Sequence, residues 1–267
     1  MNQRNLYNDD LRLAHVLADQ ADSVTTSYFQ STDLRVEEKS DHSPVTVADR
    51  QTEQTIRRQL STARSRDSVY GEEMGTTGRS TRVWVIDPID GTKNFVRGVP
   101  VWATLISLVE DGDVVVGVVS APALGRRWWA AKGQGAYTGT SLLRGKQIHV
   151  SNVHRLEDAS LSYASLDNWR KAGRFEEFNA LTQRTARTRA YGDFWSHMLV
   201  AEGAVDFALD PKLEAYDMAA PVAVVQEAGG VFTSLLGDDG PWGGTALSSN
   251  GHFHDEVLSI LNWPEPQ

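Results

Sequence analysis

Asp87-Pro88-Ile89-Asp90-Gly91-Thr92-Lys93-Asn94-Phe95 is the most informative segment of the chain. It follows Val83-Trp84-Val85-Ile86, an apolar run that reads as a buried strand. Two carboxylates therefore leave a strand end three residues apart. Pro88 has no amide hydrogen, so the ladder is expected to end there. Gly91 allows close backbone approach to a ligand, and the N–H groups near Gly91 and Thr92 can face an anion. Carboxylate oxygens are hard ligands that suit Mg2+. Taken alone, the string is equally an ordinary turn with solvated acids, since Asp, Pro and Gly favour turns.

Upstream, residues from about Asp9 to Tyr28 read as an amphipathic helix, with Leu13, Val16, Leu17, Ala21, Val24 and Tyr28 on one face. A second helix is expected from about Val47 to Leu60, with Ile56 and Leu60 inward and Asp49 in its first turn. Downstream, Thr104–Val109 and Val114–Ser120 flank Glu110-Asp111-Gly112-Asp113, a hairpin signal. Trp128-Trp129-Ala130-Ala131 suggests another strand, with both tryptophans in the core or an interface. Helical pattern returns near Phe175–Arg184, Phe194–Glu202 and Asp217–Ala228. Short strands are expected at Val205–Ala208 and Gly230–Thr233. The chain has no repeat or low-complexity tract. Residues 1–267 read as one domain, with subdomains 1–145 and 146–267.

The 267 residues suffice for a substantial core, and none is cysteine. A disulfide framework, a thiolate metal site and a cysteine nucleophile are excluded, and a reducing cytoplasm fits. No window approaches the roughly 18 apolar residues of a membrane span. The formal net charge of -9 argues against affinity for nucleic acid or an anionic membrane. It also opposes an anionic substrate, unless divalent cations reverse the field locally.

The central string closely resembles the D-P-[ILV]-D-G-T signature of the inositol monophosphatase superfamily. Other motifs of that superfamily stand in the same order. Gly71-Glu72-Glu73 resembles its G-E-E motif. Ala215-Tyr216-Asp217-Met218-Ala219-Ala220 with Glu227-Ala228-Gly229-Gly230 resembles W-D-x-A-A…E-A-G-G, with Tyr216 where Trp is usual. Lys39 through Asp49 resembles its lysine, flexible loop and [VT]-x-x-D element. The resemblance spans roughly residues 10 to 260. It implies an α/β (mixed α+β) layered αβαβα sandwich and a homodimer.

It also implies a chemistry. Glu72, Asp87 and the Ile89 carbonyl would hold one Mg2+. Asp87, Asp90 and Asp217 would hold a second, with a weaker third ion beside Glu72. Mn2+ could substitute. Two such cations clamp an in-line displacement and activate a water. Thr92 would orient that water, with Asp49 accepting a hydrogen bond from the Thr92 hydroxyl. Phosphate would rest on the metals and the Gly91 and Thr92 amides. No covalent phosphoenzyme is expected, and none of the seven histidines is assigned to catalysis. Lys93 reads either as a phosphate contact or as a solvated side chain. Asn94 and Phe95 read as structural.

The substrate clue is Arg189-Ala190-Tyr191-Gly192-Asp193-Phe194. The inositol-directed branch usually has a small residue where Asp193 stands. Asp210 matches an acidic substrate-contacting position. Two acids beside the leaving alcohol suit an amine-bearing ester such as L-histidinol phosphate. Alternatively Asp193 pairs with Arg189 or caps the next helix. The wider wording, with Phe95–Trp102, Ser120–Leu124 and Arg126–Trp129, resembles the actinobacterial histidinol-phosphate phosphatases. Substrate contacts are thus expected from Glu72, Ile89, Asp90, Gly91, Thr92, Lys93, Arg189, Asp193, Asp210 and Asp217. The competing readings are an inositol monophosphatase or related small-molecule phosphatase, and a regulatory protein that keeps the fold and binds RNA or a polymerase. The retained carboxylates and the acidic balance oppose the last.

Overall fold

The computed structural model describes residues 6–31, 36–38 and 44–264. The stretch from Lys39 to Ser43, read above as the lysine and flexible loop, lies outside them. In chain order the elements are α1 (Asn8–Tyr28), β1 (Val36–Glu38), β2 (Pro44–Thr46), α2 (Val47–Ala63), β3 (Ser68–Gly71), β4 (Gly75–Thr77), β5 (Arg82–Asp90), α3 (Thr92–Val96), β6 (Ala103–Glu110), β7 (Asp113–Ala121), β8 (Arg126–Ala131), β9 (Ala136–Gly139) and β10 (Lys146–Ile148). There follow β11 (Ser160–Tyr163), α4 (Leu166–Lys171), α5 (Phe175–Thr182), β12 (Arg187–Arg189), α6 (Asp193–Ala201), β13 (Phe207–Asp210), α7 (Ala215–Glu227), β14 (Val231–Thr233), β15 (Ala246–Ser249) and α8 (His254–Leu261).

Five layers result. Helices α1 and α2 cover one face of an eight-stranded sheet ordered β10-β9-β8-β7-β6-β5-β3-β4. Helices α6 and α7 fill the space between it and a five-stranded sheet ordered β12-β11-β13-β15-β14. Helices α4, α5 and α8 cover the outer face of the second sheet. This is the expected αβαβα sandwich. Among the described residues, no helix is long and apolar enough to cross a membrane.

Helix α7 shows why the middle layer is helical. Every residue from Met218 to Val225 is buried, so it is apolar all round and needs a sheet on both sides. Its contact with β7 depends on Gly117, where a Cβ would sit 2.6 Å from the Ala220 carbonyl oxygen. Hairpin β6–β7 turns at Asp111-Gly112, both with positive φ, the conformation a two-residue hairpin loop demands.

Two sequence expectations are corrected. Val16 is exposed, and the buried face of α1 is instead Leu11, Ala14, His15, Leu17, Ala18, Ala21 and Thr25. The stripe is shifted because His15 is drawn inward, with Nδ1 3.2 Å from Arg127 Nη1 on β8. Nor does Pro88 end its strand. β5 stays paired with β6 as far as Asp90, across a register shift that absorbs the missing donor.

His197, on α6, is buried in the middle layer. Its Nδ1 lies 2.8 Å from the Ser248 hydroxyl and its ring packs on Phe232. Burial pushes its pKa from 6.5 down to about 4. A depressed histidine stabilises the fold fully above pH 6.5, and that contribution is lost as pH falls toward 4. Between pH 7 and pH 5, wild type should lose about 2 kcal/mol more stability than His197→Asn, measured by urea unfolding. Equal losses would mean that His197 is not the proton acceptor.

Candidate metal centre and active site

Strand β5 lies between β6 and the parallel β3. In a regular strand, residues three apart point to opposite faces. Asp87 pairs with Leu105, however, and Asp90 with Ala103, so three steps on β5 match two on β6. This bulge turns both carboxylates toward one side. Thr104 supports it by donating its hydroxyl to the Pro88 carbonyl at 2.8 Å.

Asp217 arrives from the other direction, in the first turn of α7. It reaches back to accept the Glu214 amide at 2.7 Å, so the helix start fixes its side chain. Asp87, Asp90 and Asp217 each offer a carboxylate oxygen within 4.8 Å of the others. Glu72 follows the end of β3, where its amide donates to the Ile86 carbonyl at 3.2 Å. Its carboxylate stands at the edge of the trio in hydrogen-bond contact with Asp87.

Crowding shows in the electrostatics. Burial first, then Glu72, Asp90 and Asp217, push the Asp87 pKa far above the usual carboxylate range. Burial and the charges of Asp193 and Asp217 do the same to Asp90, opposed by the Phe194 amide. Asp217 is pushed up to about 7, mainly by burial. A cation in their midst would favour the ionised forms that burial and the acidic neighbours disfavour. The donor set is oxygen only, which fits a hard divalent cation. Asp49 adds a buried Oδ1 without a partner among the described residues, and burial raises its pKa to about 7.

A cleft of about 310 Å³ opens beside the trio. Glu72, Asp90, Gly91, Thr92, Lys93, Asp193 and Asp217 line it. Gly91 has φ of 82° and begins α3, whose first amides lack intrahelical partners. A Cβ on Gly91 would lie 2.9 Å from the Val101 carbonyl oxygen. Phe95 is fully buried against Trp102 and anchors this short helix. Lys93 is exposed, and its charge reaches Asp193, whose pKa it lowers against the stronger effect of burial.

Other expected residues are placed differently. The Thr92 hydroxyl donates to the Ile89 carbonyl at 3.0 Å, not to Asp49. Asp49 Oδ2 instead accepts both the amide and the hydroxyl of Thr46, closing the cap of α2. A hydroxyl has one proton to give, so the two arrangements exclude each other. Asp193 neither pairs with Arg189 nor caps α6. Its Oδ2 accepts Asn94 Nδ2 at 3.1 Å, while Asp90 accepts the Phe194 amide at 2.8 Å and does the capping. Arg189 is exposed, donates to the Thr188 carbonyl and lies outside the cleft lining. Asp210, expected to contact substrate, is buried at the end of β13 and does not line the cleft, and burial raises its pKa to about 7.

Lys212, Leu213 and Glu214 also line the cleft, and the sequence reading gave them no role. Their adjacency to Ala215-Tyr216-Asp217 was the available signal. Tyr216 keeps an aromatic ring there, tilted against Tyr70 with centroids 5.8 Å apart.

Residues 8–262 match the Inositol monophosphatase family. A histidinol-phosphatase of Streptomyces coelicolor is 57% identical over 260 residues, covering 96% of this chain and 98% of that protein. One from Mycobacterium tuberculosis is 54% identical over 255 residues, covering 95% and 98%. Among solved structures, an inositol monophosphatase from Zymomonas mobilis is 33% identical with a TM-score of 0.85, over 97% of this chain and 100% of that one.

Adding a divalent cation should raise the melting temperature. At a concentration 100 times its dissociation constant, Mg2+ contributes about 2.7 kcal/mol, on the order of 5–10 °C for a chain this size. Asp87→Asn replaces a carboxyl whose ionisation is disfavoured there by burial and by its acidic neighbours, so without metal it should melt at or above wild type. It should gain little from Mg2+. A full Mg2+ shift in Asp87→Asn, read by scanning calorimetry, would remove Asp87 from the metal site.

Proposed function

Because the chain belongs to the inositol monophosphatase family, whose members are metal-dependent phosphatases, we propose that it hydrolyses L-histidinol phosphate to L-histidinol and inorganic phosphate, a step of histidine biosynthesis. The observation that carries this reading is a single cleft lined by Glu72, Asp90 and Asp217 and also by a further acid, Asp193. Two relatives above 50% identity, both named histidinol-phosphatase, support the same substrate.

In this reading Glu72, Asp87, the Ile89 carbonyl, Asp90 and Asp217 hold two to three Mg2+ ions, with Mn2+ as a substitute. When bound, such ions would supply positive charge to an in-line displacement and acidify a water. The Thr92 hydroxyl spends its proton on the Ile89 carbonyl and keeps lone pairs to accept from that water. The Gly91 and Thr92 amides receive phosphate oxygens at the start of α3. Lys93 adds positive charge at the rim. Asp193 takes the substrate ammonium, which restores the ionised form that burial disfavours. Asp210, close enough to feel the charges of Asp193 and Asp217, adds negative field when ionised. A homodimer, carried by the superfamily resemblance, and a cytoplasmic location, which the cysteine-free sequence fits, belong to the same reading; sedimentation tests the dimer.

Phosphate release from L-histidinol phosphate and from inositol 1-phosphate, side by side, tests the assignment. The expected result is a clear preference for the amine-bearing ester and loss of both activities in EDTA. A preference for inositol 1-phosphate would overturn the substrate.

Asp193→Ser should weaken turnover of L-histidinol phosphate far more than that of an amine-free ester. A charge-assisted hydrogen bond contributes about 1.5–3 kcal/mol, or roughly 10- to 150-fold in kcat/KM. Equal small losses on both esters would place amine recognition elsewhere. A collapse on both would make Asp193 a support of the α6 start through Asn94.

A further inference from the structure

We propose that Glu53, braced by Arg57, is a positioning residue that sets how tightly Glu72 holds metal. The inference rests on the reading of Glu72 as a metal ligand. Glu53 lies on α2 and is completely buried. Its carboxylate accepts the Glu73 amide at 2.7 Å and the Met74 amide at 3.2 Å. Both amides belong to the turn between β3 and β4 that carries Glu72. Arg57, one helical turn on, donates Nε to Glu53 at 2.7 Å. Its other nitrogens reach the Thr77 hydroxyl at 3.0 Å and the Gly75 carbonyl. The pair therefore grips the turn and β4 from the helix side.

The other side of the turn is fixed by the Glu72 amide on the Ile86 carbonyl, one residue before Asp87. Glu72 is thus strung between the metal strand and α2. Gly71 shows how close the helix side comes. A Cβ there would lie 2.1 Å from Glu53 Oε1, so the carboxylate occupies the space that any side chain at 71 would need. That accounts physically for glycine before the acidic pair. A buried charge with this many partners is a demanding way to hold a turn that a few apolar contacts could also hold. What it provides is a fixed backbone on both sides of one carboxylate, the function that outer partners serve around metal ligands.

The test measures Mn2+ binding to the full chain by the electron paramagnetic resonance signal of free Mn2+, alongside thermal melting. Glu53→Gln keeps the shape and removes the charge. It should stay folded at the assay temperature and bind Mn2+ about 10- to 100-fold more weakly, the range seen when outer partners of metal ligands are lost. Arg57→Lys keeps Glu53 charged but loses the planar fork. It should weaken binding by a smaller factor, and it stands in if Glu53→Gln does not fold. Glu72→Gln calibrates both. If Glu72→Gln weakens Mn2+ binding while folded Glu53→Gln and Arg57→Lys stay within twofold of wild type, the pair merely braces a hairpin and the proposal is overturned. If Glu72→Gln also binds as wild type, the reading of Glu72 as a ligand falls, and the proposal falls with it.

Discussion

The structure is organised around three carboxylates that repel one another in a poorly hydrated place. Asp87, Asp90 and Asp217 bring oxygens within 4.8 Å, and burial raises the pKa of each. The fold tempers this with one backbone amide apiece. Asp87 takes the Ile89 amide at 2.9 Å, Asp90 the Phe194 amide at 2.8 Å, and Asp217 the Glu214 amide at 2.7 Å. The three amides come from β5, α6 and the residue preceding α7. A strand end and two helix starts must therefore meet at one point. Packing α6 and α7 between two sheets does this, because both helices then begin beside the end of β5.

Much of this was legible in the sequence. Apolar periodicity marked α1, α2 and the middle helices, because a helix face or a buried helix leaves its own pattern. Asp111-Gly112 marked the β6–β7 hairpin, because positive φ at both positions favours those residue types. The acidic strings were visible because they are local. Long-range choices were not. The bulge that aligns Asp87 with Asp90 is supported by Thr104, sixteen residues beyond Pro88, and a lone Pro88 reads more simply as a strand end. Val16 sits on a plausible apolar stripe, yet α1 rolls to bury His15 beside Arg127. The Asp90–Phe194 bond spans 104 residues, so the sequence left a cap at Asp193 open as an alternative to substrate contact, when it is Asp90 that holds the helix start.

That capping bond makes the two halves of the site mechanically one. Asp90 belongs to the carboxylate trio and also holds the Phe194 amide in the first turn of α6. Asn94, four residues on, donates to both the Val101 carbonyl and the Asp193 carboxylate. Asp193 itself adopts φ of 43° after Gly192 at 92°, the left-handed region that Asp tolerates better than most side chains. The residue read as selecting the substrate is therefore held by the same loop that carries the metal motif. A backbone shift that moved Asp193 would strain the Asp90 cap and disturb the trio. Changing the side chain at 193 leaves the Asp90–Phe194 bond in place. Within this scaffold, specificity is freest to vary by substitution at a fixed position, and the backbone around it is constrained by the carboxylates it must keep together.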